Sequence, residues 1–145
     1  MAVNSRAKGA SGEVSVRDLL RKVSGLNFER TPGSGSGKIK GDLHLVGHKN
    51  TFCIEVKFYA ESPLSDKIFT SKTNNLVVWW NKLRLQAKAC GQEPLLLFKY
   101  NRSKIFVVTE QKPLVVDMFL YISWLKCYIM LSEEWLTKER ITWHS

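Results

Sequence analysis

Residues 42 to 58 read Asp42-Leu43-His44-Leu45-Val46-Gly47-His48-Lys49-Asn50-Thr51-Phe52-Cys53-Ile54-Glu55-Val56-Lys57-Phe58. In the second half, Phe52, Ile54, Val56 and Phe58 alternate with Cys53, Glu55 and Lys57, the period-two pattern of a strand with two different faces. This predicts a strand over Thr51 to Phe58 and a partner over Asp42 to Val46, joined by the turn residues Gly47-His48-Lys49-Asn50. Closing the hairpin symmetrically about that turn sets Val46 opposite Thr51 and, counting outward, Asp42 opposite Glu55. Directly opposed side chains lie about 5 Å apart, where two like charges are destabilising unless something positive sits between them. A divalent cation such as Mg²⁺ suits the pair, because it prefers hard carboxylate oxygens. Lys57 shares a face with Glu55, so two acids and an ammonium are presented together.

Outward from this hairpin, Val16, Leu19, Leu20 and Val23 recur at helical spacing, predicting a first helix with Ser11 as N-cap and Gly25 as its stop. Glu13 extends that apolar stripe, which directs it toward the sheet; its competing role is a first-turn acid that favours the helix dipole. Phe28 to Arg30 suits a short strand. A second helix is expected over Asn75 to Cys90, where Leu76, Trp80, Leu83 and Ala87 share a face and Gly91 ends the pattern. Leu95 to Tyr100 and Lys104 to Thr109 form another hairpin about Asn101-Arg102-Ser103. After Pro113 the pattern predicts a helix from about Val115, a strand near Tyr128 to Leu131 and a final helical turn capped by Ser132. This order implies an α/β fold, a central mixed β-sheet flanked by α-helices.

A chain of 145 residues with 44% hydrophobic and 24% charged residues is expected to fold as a single domain, 1–145, rather than as a disordered or fibrous chain. Its 22 Lys and Arg against 13 Asp and Glu leave +9, which favours a polyanionic partner. Cys53, Cys90 and Cys127 are widely spaced and lack zinc-site spacing, so a reduced, cytoplasmic compartment is expected. The small polar start gives no secretory signal and is read as flexible over residues 1–8. Residues 31–41, with Gly33-Ser34-Gly35-Ser36-Gly37 flanked by basic residues, are read as a mobile basic loop. Leu114 to Leu131 is interrupted by Asp117, Ser123 and Lys126, so no membrane span is expected. The Gly33 to Lys38 stretch fails the phosphate-loop spacing and Lys38 precedes Ile39, which excludes an ATP site of that type. His44 and His48 straddle a strand end and its turn, a poor chelating arrangement. Cys53 and Cys127 are read as buried hydrophobes.

Asp42 followed at a distance by Glu55-Val56-Lys57, with Glu13 upstream on a helix, resembles the PD-(D/E)XK nuclease superfamily and its restriction-endonuclease-like fold. More narrowly, the chain is similar to the archaeal-type Holliday junction resolvases, including phage-encoded relatives. The residues carrying this are Lys8-Gly9-Ala10 with Glu13, Arg30 before the Gly/Ser loop, Asp42-Leu43, Cys53 to Lys57, Gln86, and Pro94 to Lys99, over roughly Lys8 to Val108. Departures are Val14 where these resolvases often carry Arg, a longer Gly/Ser loop, and Gly41 in place of Pro before Asp42.

The resemblance implies a Mg²⁺-dependent endonuclease, with Mn²⁺ able to substitute. Asp42, Glu55 and the Val56 backbone carbonyl would hold the ion and Glu13 would fix its hydration. Lys57 would act on the water or phosphate, with Gln86 at the site's edge. Ser34 or Ser36 would contact phosphate, a choice the spacing leaves open. Arg30, Lys38, Lys40, Lys99, Arg102 and Lys104 are the candidates for DNA phosphates. Paired cuts in a four-way junction imply a homodimer. Trp79, Trp80, Phe119, Tyr121, Ile122 and Trp124 are available for its interface, with core burial the favoured alternative for each. Two other readings stand beside this one: a nuclease of the same fold acting on linear, flap or restriction-type DNA, and a non-catalytic basic DNA-binding module.

Overall fold

The two faces of strand β3 (Phe52–Phe58) bury different side chains and so divide the chain into two cores. Phe52, Ile54, Val56 and Phe58 pack with Val16 and Leu20 of helix α1 (Ser5–Ser24), whereas Cys53 packs with Leu76, Trp80, Leu83 and Ala87 of helix α3 (Asn75–Ala89). This is the two-faced alternation read from the sequence. The structure, a computed structural model, describes residues 5–32 and 40–145, with side chains of the first helix from residue 9 onward.

Among the described residues, seven strands form one sheet in the order β1-β2-β3-β4-β5-β7-β6. They are β1 (Phe28–Arg30), β2 (Leu43–Leu45), β3, β4 (Glu93–Lys99), β5 (Phe106–Thr109), β6 (Leu120–Ile122) and β7 (Cys127–Leu131). β3 and β4 are parallel, joined by a crossover carrying the short α2 (Lys67–Thr70) and α3, and every other named pair is antiparallel. The fold is therefore the expected mixed sheet flanked by helices. Pro94 to Phe98 is an unbroken buried run, because this central strand has both faces covered. Asn74 caps α3 by accepting from the Val77 amide at 3.2 Å.

Several expectations need correction. α1 begins at Ser5, so Ser5 to Lys8 belong to a helix rather than to a flexible lead-in, and Ser11 lies inside the helix where it cannot cap. Its buried stripe is Gly12, Val16 and Leu20, while Val23 is 41% exposed and outside it. Gly12 belongs to the stripe because a Cβ there would meet the Phe58 ring at 2.8 Å. The stop at Gly25 is as read, its amide bonding Arg21 O at 2.8 Å.

The helix expected from Val115 does not form. The Glu139 carboxylate accepts hydrogen bonds from the amides of Leu114, Val115 and Val116, each at 2.7 Å, and the chain then enters β6, which pairs with β7. Burial pushes the Glu139 carboxyl up, but the three amide donors outweigh it and hold it below the usual carboxylate range. Ser132 is the first residue of helix α4 (Ser132–Lys138) rather than its cap; Leu131 holds that position without a side-chain bond, and the Ser132 amide pairs with Ile105 O at 2.9 Å. Trp80 is fully buried with its indole donating to Leu125 O at 2.8 Å, and Trp79 and Ile122 are also core, so these three are not available to an interface. Phe119 is half-buried against Tyr128, leaving Tyr121 and Trp124 exposed. Among the described residues no helix is long and apolar enough to cross a membrane.

Candidate active site

The site rests on the register of the β2–β3 hairpin. Leu43 lies opposite Ile54, the pairing obtained by closing the hairpin about Gly47 to Asn50. Asn50 fixes it with its own side chain, which accepts from Leu45 N at 2.7 Å and donates to the carbonyls of Leu45 and His48 at 3.0 Å each. An Asn that bonds the backbone in place of a missing strand neighbour is the physical content of that turn.

Gly41 delivers Asp42 to β3. Its φ is +88°, a conformation glycine adopts freely and proline, with φ locked near −65°, cannot. A Cβ at this position would lie 2.7 Å from Ile54 O and 3.0 Å from Ile54 N, so the backbones approach as closely as only glycine permits. In consequence the Asp42 amide bonds Ile54 O at 2.7 Å and its carboxylate accepts the Val56 amide at 2.8 Å. The departure from Pro before the acid is thus dictated by local geometry.

Asp42 and Glu55 line one cleft and lie close enough for Asp42 to act on the Glu55 carboxyl through its charge and its hydrogen-bonding oxygens. Burial pushes the Glu55 carboxyl up to about 8, with the charge and hydrogen bond of Asp42 adding to it and Lys57 and Lys82 opposing. The Lys57 ammonium stands 4.0 Å from Glu55 Oε2. Such a pair is neutralised either by a proton or by a cation, so the donor set fits a hard divalent ion. Among the described residues, however, no three His, Cys, Asp or Glu side chains converge as a metal-holding group. Glu13 therefore does not complete a three-carboxylate set. It flanks the buried stripe of α1 and is drawn to Arg30, whose Nε is 3.4 Å from its Oε1. Burial and then the Asp42 charge raise the Glu13 carboxyl above its usual range, so it senses the pair from the α1 side.

The acids and Lys57 open into a cleft of about 600 Å³ whose opposite wall is α3, presenting Val78, Trp79, Lys82, Leu83 and Gln86. Gln86 lies on the α3 wall of this cleft. Lys82 was not anticipated, although it lies one turn before Gln86 on the same helix face, a spacing that identifies it. Trp79, read only as a candidate for core or interface, also lines this cleft.

Of the candidate phosphate contacts, Lys99 pairs across from Phe58 at the end of the parallel strands, and Arg102 follows in the loop whose Asn101 amide bonds Ala60 O at 3.1 Å. Both therefore sit at the sheet end that carries Lys57. Arg30 is engaged with Glu13, and Lys104 is ion-paired with Glu133 at 2.8 Å. Lys40 immediately precedes Gly41, and its charge acts on the Cys53 thiol. Ser34, Ser36 and Lys38, with most of the expected mobile loop, lie outside the described residues. His44 contacts Thr31 Oγ1 at 3.1 Å and His48 stacks on His144. Burial, helped for Cys53 by the Glu55 charge, pushes the Cys53 and Cys127 thiols up to about 12, so both are buried hydrophobes and not nucleophiles.

Known proteins extend this picture. A solved structure of Hjc, a Holliday junction resolvase from the archaeal hyperthermophile Archaeoglobus fulgidus, is similar at 20% identity and a TM-score of 0.47, covering 86% of this chain and 89% of that one. Protein D14 of Escherichia phage T5 is 35% identical over 150 residues, covering 94% of each chain. Residues 4–137 match the family described as "Phage putative PDDEXK endonuclease". With that match spanning nearly all of the sequence, the chain belongs to this phage PDDEXK endonuclease family.

Proposed function

We propose that this chain is a metal-dependent DNA endonuclease that resolves four-way junctions, acting as one nuclease domain over residues 1–145 in the host cytoplasm. The observation that carries the reading is that Asp42 and Glu55, with Lys57 4.0 Å from Glu55, line one cleft in a chain of net charge +9. Asp42, Glu55 and the Val56 backbone carbonyl would hold the ion. When bound, Mg²⁺, or Mn²⁺ in its place, supplies polarisation of a phosphoryl oxygen and acidification of a water.

The remaining steps belong to the protein. Lys57 sets its ammonium beside the acids, where it stabilises charge growing on the phosphate. Glu13 orders solvent on the α1 side, and Gln86 hydrogen-bonds at the opposite rim. Hydrolysis with in-line displacement breaks the P–O3′ bond and leaves 5′-phosphate and 3′-hydroxyl ends. Arg30, Lys38, Lys40, Lys99 and Arg102, with Ser34 or Ser36, bind flanking phosphates. Two such sites on a homodimer would cut the paired strands of a junction.

The test is cleavage of a synthetic four-way junction and of its component duplexes across a titration of Mg²⁺ and of Mn²⁺. Preferential, paired cutting of the junction is expected. Equal cutting of the duplexes would move the assignment to a nuclease of linear or flap DNA, and no cutting with either ion would leave a basic DNA-binding module.

A further inference from the structure

Metal and phosphate chemistry does not explain the outer wall of the cleft. Val78, 44% exposed, and Trp79 stand opposite the acids, and Tyr59 leans on Trp79 with ring centroids 4.9 Å apart and an interplanar angle of 53°. Tyr59 is 42% exposed and lies two residues after Lys57, just past the end of the strand that supplies Glu55. Its backbone is fixed by the amide bond to Lys99 O at 2.9 Å. Behind it, Trp79 packs on Phe98 of the core, with centroids 6.4 Å apart.

A ring so placed is a rigid aromatic platform. Tyr59 is braced by a buried indole and remains 42% exposed beside a cleft suited to phosphate. Backbone phosphates satisfy Lys57 and Lys82 but leave an exposed aromatic surface unused. The partner that covers such a surface next to a phosphate is a nucleobase, which offers a π-face whatever its identity. A base inside a continuous duplex has both faces occupied by its neighbours. A base at a branch point, a flap or a strand end has one free.

We propose that Tyr59, braced by Trp79, is a base-stacking subsite that takes an unstacked nucleobase next to the scissile phosphate. The subsite rests on the nuclease reading above and adds a source of preference for branched over continuous DNA, because only the former presents a free base face at low cost. It requires no base identity, so cutting is tolerant of sequence at that position.

The test is a four-way junction carrying 2-aminopurine at positions flanking the crossover, bound in Ca²⁺ so that binding is read without cleavage. Stacking on Tyr59 quenches the fluorophore. The wild-type chain and Tyr59→Phe are expected to quench at one position, while Tyr59→Leu, which keeps apolar bulk against Trp79 but has no π-face, loses the quench and binds roughly tenfold more weakly. Equal quench and affinity for the wild type and Tyr59→Leu overturn the subsite. Because this signal does not depend on strand cutting, a chain that binds and quenches without cleaving with any ion refutes the nuclease reading and leaves the stacking site standing.

Discussion

Replacing Gly41 by alanine tests how the first acid is delivered. At φ +88° an L-residue is strained by about 1–2 kcal/mol, and the new methyl would sit 2.7 Å from Ile54 O and 3.0 Å from Ile54 N. Both atoms are backbone of β3, the strand that carries Glu55 and Lys57, so the Asp42 segment has to move away from it. Two hydrogen bonds lengthen as it does: Asp42 N to Ile54 O at 2.7 Å, and the Val56 amide to the Asp42 carboxylate at 2.8 Å. At about 1 kcal/mol each, these bring the total destabilisation to about 3–4 kcal/mol. A shift of about 1 Å at a group that positions the reacting phosphate lowers turnover by about 10²-fold. Urea denaturation gives the first number and single-turnover cleavage of a four-way junction the second. Wild-type stability together with wild-type turnover in Gly41→Ala would refute the close approach of the two strands.

Other outcomes follow from the same geometry. In the folded chain Glu55 keeps its proton up to about pH 8, whereas an unperturbed glutamate loses it near 4.5, so between these values the native state binds more protons than the unfolded one and stability falls as pH rises. Metal-free protein should therefore melt higher at pH 5 than at pH 8; Glu55→Gln should flatten that dependence, and Mg²⁺ should raise the melting temperature most at pH 8. Asn50→Ala removes the side chain that closes the hairpin at Leu45 and should cost about 2–3 kcal/mol in chemical denaturation. Lys82→Gln should weaken junction binding and reduce the slope of log affinity against log salt by about one phosphate contact, with Lys82→Arg restoring both.

The hairpin was legible because its information is local. A four-residue turn and a strict alternation fix both register and facing, and a slip of one residue would have put Glu55 into the core beneath α1. The α3 face was legible for the same reason, its apolar residues recurring within a few turns. Three parts were hidden by distance in sequence. Glu139 gathers the amides of Leu114 to Val116 from more than twenty residues away, which turns an apparently helical start into an irregular approach to β6. The Gly41 conformation is set by Ile54 across the sheet, so its neighbourhood alone reads only as a loop. Lys82 joins the cleft, and Tyr59 meets Trp79 beside it, only when α3 is laid over the odd face of β3, because neither stands out in local composition. The start of α1 was misread on local grounds: Ser11 resembles a cap, but the packing of Gly12 on Phe58 rewards a helix that continues upstream.

In the proposed mechanism Asp42 and Glu55 act as one cation-holding pair. Single-turnover cleavage of a four-way junction at saturating DNA, by the wild type, Asp42→Asn, Glu55→Gln and the double variant, addresses it directly. Each single substitution should lower the rate by at least about 10³-fold, and the double variant should be scarcely worse than either, since residues that act as a unit are far from additive. Near-wild-type cleavage by either single variant would contradict the account.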